Sequence, residues 1–176
     1  GYVDHGPVIA YLIKFFTLIW ENSFTVRLGA TTLMTILTFV LYHFGKKYFN
    51  TQVGIILSLS ITANMLFHTN AIVITPDVPM TFFTTLAIMY YYLAYCVDKK
   101  YVYIGGIMLG LAVLSKISAL FPAIGIALYP FLIKDKRHWL KDMHYYGSFI
   151  VALLIFLPFI IWNLNNDLAF VRNQGS

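Results

Sequence analysis

Long apolar runs separated by short polar breaks make up this chain, with no sustained alternation of polar and apolar positions. Runs of that kind predict helices. Runs near 20 residues predict helices able to cross a hydrocarbon core of roughly 30 Å at about 1.5 Å per residue. The stretch 7–20 is apolar apart from Lys14 and is too short to cross; it predicts a helix lying along the membrane surface, started by Pro7. Glu21-Asn22-Ser23 reads as a turn, and Arg27 marks the entry to a span at 28–44, closed by Gly45-Lys46-Lys47. A second span is predicted at 53–68 and a third at 78–96, followed by the basic loop Asp98-Lys99-Lys100. The last is predicted at 145–162, with Pro158 near its end.

Between these lies 101–133, apolar except for Lys116 and a few small polar residues, and then the densest charge cluster, Lys134-Asp135-Lys136-Arg137-His138. One helix of that length would reach roughly 50 Å, and two full spans would need about 40 residues. Lysines and arginines on both sides of the run belong on the cytoplasmic face, so the stretch predicts a hairpin of two short helices with Lys116 near its apex. The topology then closes. Lys46, Lys47, Lys99, Lys100, Lys134, Lys136, Arg137 and Lys141 lie inside, and Lys14, Arg27, Lys116 and Arg172 outside. Tyr42, Tyr48, Tyr95, Tyr101, Tyr103, Trp139, Tyr145 and Tyr146 are expected as an inner aromatic belt. The predicted fold is an all-α transmembrane bundle of about six spans, two of them short, plus an interfacial helix on the outer side.

Composition agrees with this. The chain is 60% hydrophobic and 11% charged, with a mean hydropathy of +0.76, against about 45–50% and about 25% for a soluble domain. The net charge of +5 sits in short loops between apolar runs, a topology pattern that gives no reason to expect nucleic acid as a partner. The single cysteine, Cys96, permits no internal disulfide. The chain opens on Gly1-Tyr2 and ends at Gly175-Ser176, and is expected to be a fragment of a longer protein forming one partial transmembrane domain over 1–176.

Candidate chemistry gathers on the outer side of that topology: Asp4, His5, Arg27, His68, Asn70, Asp77, Lys116, Asn163 and Asp167. Thr75-Pro76-Asp77-Val78-Pro79 sets a carboxylate at the start of an apolar run. Proline fits a first helical turn, Asp77 is the expected N-cap, and the helix dipole favours its ionised form. Asp77 is therefore either a charged acceptor or ligand, or only a cap. Lys116 sits where an ammonium must line a cavity or snorkel outward; the alternative is an interfacial lysine that stops a helix. Asp4-His5 could contact phosphate or metal, or belong to a solvated loop. Acid and base groups on one face point to chemistry on an anionic lipid, since a lysine can hold a phosphate and a carboxylate can take a proton or a divalent cation. Gly105-Gly106 with Gly110 reads as close helix packing. No metal-ligand spacing, nucleophile elbow, phosphate-cradling glycine loop or nucleotide fingerprint appears.

The order GYVDHGPVIAYLI, TVRLGA, ITPDVPMTFF, GLAVLSKISALFP, PFIIWNLNND resembles the bacterial branch of the dolichyl-phosphate-mannose–protein mannosyltransferase family, which includes the lipid A aminoarabinose transferases and belongs to the C-type glycosyltransferase superfamily. The likeness runs over nearly the whole chain. It implies an inner-membrane, multi-pass enzyme. Such an enzyme moves a sugar from a polyprenyl-phosphate carrier, with inversion, to a lipid, glycan or protein acceptor on the extracytoplasmic side. The family's acidic motif for the general base normally lies upstream, so that base is expected before Gly1. The resemblance places Asp4-His5-Gly6-Pro7 at a loop motif near the lipid phosphate, with Gly6 where the family usually has a proline. It places Asp77 at an acidic position beside the active site and Lys116 at a lysine that meets the lipid phosphate. Asp77 and Asp4 are thus the candidate catalytic residues, and Lys116 and His5 the candidate lipid-phosphate ligands. The cofactor is left open, with a divalent cation as the candidate. A transporter or lipid flippase is the alternative, although no internal repeat supports it. A non-catalytic scaffold subunit is a third.

Overall fold

The computed structural model describes residues 7–18, 23–63 and 75–166. Those residues are helical or lie in turns and short connections, with no strand among them. We number the helices α1 (Pro7–Thr17), α2 (Ser23–Tyr48), α3 (Thr51–Thr62), α4 (Asp77–Cys96), α5 (Tyr101–Ser115), α6 (Leu120–Leu132) and α7 (Met143–Asn165), with 3-10 segments at Ile117–Ala119 and Lys134–Lys141. The chain divides into two compact units, Ile9–Phe82 and Phe83–Ser176, the latter joined by Gly1–Val8.

In the first unit α2 and α3 form a tight helical pair. Asn50 caps α3, its side chain accepting from the Val53 amide at 2.9 Å, and Lys46 and Lys47 occupy the last turn of α2, where the helix dipole favours cations. The crossing is made by two glycines. A methyl group placed on Gly45 would come within 2.6 Å of Gly54 Cα, and one on Gly54 within 2.6 Å of the Tyr42 carbonyl oxygen. Small residues of this kind let helix backbones approach where lipid offers no hydrophobic drive for association. Phe16 and Leu12 of α1 pack over Gly29 of α2, while Tyr11, Phe15 and Leu18 are exposed.

In the second unit α5 lies between α4 and α7. Gly105 faces the Tyr91 ring of α4, and Gly106 and Gly110 face Ser148, Ala152 and Ile155 of α7. The order of these contacts makes α5 and α7 parallel. The chain must therefore return before α7 begins, and α6 provides the return. α5 ends at Ser115, Lys116 is extended (φ −156°, ψ 133°), and α6 starts after one 3-10 turn. The C-terminal end of α6 comes back to the level from which α5 departs. Tyr129 stacks on Tyr95 with ring centroids 5.0 Å apart, and the Tyr145 hydroxyl donates to the Ala127 carbonyl at 2.7 Å. This is the hairpin with its apex at Lys116.

The core of this unit is aromatic: Tyr91, Trp139 and Tyr145 are buried with Ala87, Ala94, Val102 and Leu109. Tyr91 and Ser148 share a buried hydrogen bond of 2.9 Å, and Ser148 Oγ also reaches the Tyr145 carbonyl. Trp139 and Tyr145 therefore do not belong to the expected aromatic belt. Each packs inward, where the loop end of the unit supplies ring partners that a bilayer interface would not.

Among the described residues, helix length and hydropathy mark two helices as able to cross a membrane, Leu28–Tyr48 and Met143–Asn165, or three if the bent pair Ile117–Leu132 and Lys134–Lys141 is one span. The expected six spans exceed the number that length and hydropathy mark among the described residues. α3 covers Thr51–Thr62 and residues 64–68 of the expected span lie outside the described residues, while α5 and α6 are 15 and 13 residues long, below the roughly 20 a full span requires. α4 has 20 residues, but its threonines and tyrosines dilute its apolar character.

Candidate functional site

Lys116 owes its position to a local break. Its amide donates to the Ala112 carbonyl at 3.1 Å, closing the last turn of α5, and its carbonyl accepts from Ala119 at 3.0 Å, opening the 3-10 turn. The residue between those bonds is extended, and its side chain is half-buried. Ser115 beside it is buried and satisfied by the Leu111 carbonyl. Gly106 faces Ser148, and Gly110 faces Ala152 and Ile155. At equal rise per residue that register carries Lys116 to about the level of Pro158 to Ile161 on α7. Asn163 follows just beyond and is one of three buried polar side chains among the described residues. The sequence placed Asn163 on this side but gave no sign of its burial, because an amide at a helix end reads the same whether or not it is covered.

The other end of the unit is basic. Lys99 Nζ lies 3.4 Å from Asp142 Oδ2, Lys136 Nζ donates to the Tyr95 carbonyl at 2.7 Å, and Tyr103 and His144 share a hydrogen bond of 2.8 Å. The His144 amide holds the Asp142 carboxyl below its ordinary pKa against the opposing desolvation, and Lys99 adds to the lowering. The 15 residues of α5 separate Lys116 from this cluster by about 22 Å. Lys116 therefore stands at the opposite end of α5 from the basic cluster.

Asp77 belongs to the first unit. It is half-buried between Pro76, Val78 and Pro79, all buried. It is the first residue of α4 itself, one position inside the expected N-cap: the Pro76 carbonyl accepts from Met80 at 3.3 Å, and Thr75 accepts from Val78 at 3.1 Å. Asp4 and His5 lie outside the described residues, as do His68, Asn70 and Asp167. Among the described residues no three of His, Cys, Asp and Glu gather as a metal site would require.

Apolar helices of spanning length, a lysine at a helix break and basic residues gathered at the opposite end define a helical membrane protein with polar groups set at its ends. Residues 4–162 match the dolichyl-phosphate-mannose-protein mannosyltransferase family, and the chain belongs to that family. An uncharacterized protein of Aquifex aeolicus (strain VF5) is 36% identical over 103 residues, which covers 57% of this chain and 20% of that protein. The chain thus spans about a fifth of the length of this curated relative. No solved structure matches it.

Proposed function

We propose that this chain is part of a membrane glycosyltransferase that moves a sugar from a polyprenyl-phosphate donor to an extracytoplasmic acceptor with inversion. The family match over 4–162 carries the reading, and the setting of Lys116 supports it. In this proposal the protein is a multi-pass inner-membrane enzyme. Its six crossings include the two short arms on either side of Lys116, and α1 lies along the outer surface. Lys116, with His5, holds the lipid phosphate that departs when the glycosidic carbon is attacked. An ammonium placed where that charge develops lowers the barrier more than it stabilises bound donor. Asp77 orients the acceptor, a cation or a basic partner, and Asp4 lies near the same phosphate loop. The general base is supplied from outside residues 1–176.

The test uses the full-length protein in membranes with a panel of labelled polyprenyl-phosphate sugars. Lys116→Ala is expected to lower transfer by about a hundredfold, the range seen when one charge-stabilising donor is removed, and to weaken donor retention, with partial recovery in Lys116→Arg. Asp77→Asn is expected to lower transfer while leaving donor retention intact. Unchanged transfer and donor retention in Lys116→Ala would overturn the assignment.

A further inference from the structure

The basic end of the second unit is built as a strap. After α6 the chain turns by 107° into the 3-10 segment Lys134–Lys141, which therefore lies across the helix direction. Three contacts pin it. Trp139 is buried edge-on against Tyr95 with ring centroids 5.0 Å apart, Lys136 donates to the Tyr95 carbonyl, and the Tyr146 hydroxyl donates to the Leu140 carbonyl at 2.8 Å. With Trp139 and Lys136 turned inward, Lys134, Arg137 and Lys141 are left exposed, next to exposed Lys99 and Lys100 of the neighbouring loop.

Three acids share this end. Asp142 is engaged by Lys99 and the His144 amide, Asp98 accepts from the Lys100 amide, and Asp135 lies on the strap itself. The six cations exceed the three carboxylates by three. The cations also adjoin uncovered apolar surface: Leu132 and Met143, on either side of the strap, are 73% and 83% exposed, and Phe131 is exposed beside Leu132. A free phosphate or a polyanion would use the cations and gain nothing from the aliphatic surface. An anionic phospholipid uses both, its headgroup on the ammonium and guanidinium groups and its chains against Phe131, Leu132 and Met143.

We propose that the strap is an anionic-phospholipid docking surface at the membrane face opposite Lys116. The proposal rests on the chain lying in a bilayer and not on the transfer reaction, so sugar transfer assayed on the same samples separates the two.

The full-length protein is reconstituted in nanodiscs of phosphatidylglycerol and phosphatidylcholine, and the lipid retained after detergent extraction is measured by native mass spectrometry. Wild type is expected to retain phosphatidylglycerol in excess. Each basic residue near an anionic surface is worth about fivefold, the equivalent of about 1 kcal/mol. The triple variant K134Q/R137Q/K141Q is therefore expected to lose at least tenfold of that preference, with helical content and sugar transfer unchanged. Asp135→Lys, which adds a cation without removing a contact, is expected to raise the preference, and it keeps the test decisive if the triple variant does not fold. Equal retention of the two lipids by wild type, or an Asp135→Lys preference no higher than wild type, would overturn the proposal. So would an undiminished preference in a folded triple variant.

Discussion

Gly106 and Gly125 sit on neighbouring helices, and only their surroundings separate them. A methyl group on Gly106 would collide with the Ser148 carbonyl oxygen, whereas one on Gly125 would meet nothing within 4 Å. Backbone on both sides of the α5–α7 crossing leaves no flexible side chain to give way. Gly106→Ala is expected to cost about 1–3 kcal/mol, in the range of overpacked cores. Gly125→Ala is expected to be neutral or to stabilise by up to about 1 kcal/mol through helix propensity. Thermal unfolding of the full-length protein in detergent distinguishes them, and equal midpoints for the two variants would contradict the crossing. The sequence indicated close packing at Gly105, Gly106 and Gly110, because small residues spaced along an apolar helix have few other uses. It did not name the partner, Ser148 and Ala152 on a helix some 40 residues away, since no local pattern encodes which helix a groove receives.

At the scale of elements, the break at Lys116 was legible because only one charge interrupts 33 apolar-rich positions and helix length is bounded by bilayer thickness. The strap was not legible. Its residues read only as a dense charge cluster on the inner side, and Trp139 read as an interface anchor. Burial of that ring against Tyr95 turns the cluster into an ordered element set across α6. Trp139→Ala is expected to remove about 3–5 kcal/mol, as large aromatic truncations in cores do, and to free the strap before the helices melt. Cleavage by a lysine- and arginine-specific protease within 134–141 should then accelerate several-fold relative to wild type. Cleavage at the wild-type rate would mean that Trp139 does not hold the strap.

At the scale of the whole molecule, the proposed topology has a probe already in place. Cys96 is the only cysteine of this chain, and it is exposed at the end of α4, next to the loop that carries Lys99 and Lys100. In full-length protein with any other cysteines replaced, a membrane-impermeant maleimide should label Cys96 from the cytoplasmic face alone. With Cys96→Ser, Lys116→Cys should be labelled from the opposite face alone. Labelling of both from one side would rule out the hairpin as drawn. The sequence by itself determined the class of molecule, the helices and the lysine-marked break, because apolar run length and the placement of charge are local quantities set by the bilayer. Tertiary structure alone decided that α5 packs against α7 through Gly106 and Gly110, that Trp139 and Tyr145 turn inward, and that Tyr91 meets Ser148. A helix surrounded by lipid is apolar on every side, so hydropathy cannot distinguish the face that meets protein from the face that meets hydrocarbon; that choice is made by shape, when small residues and aromatic rings find the surfaces they fit.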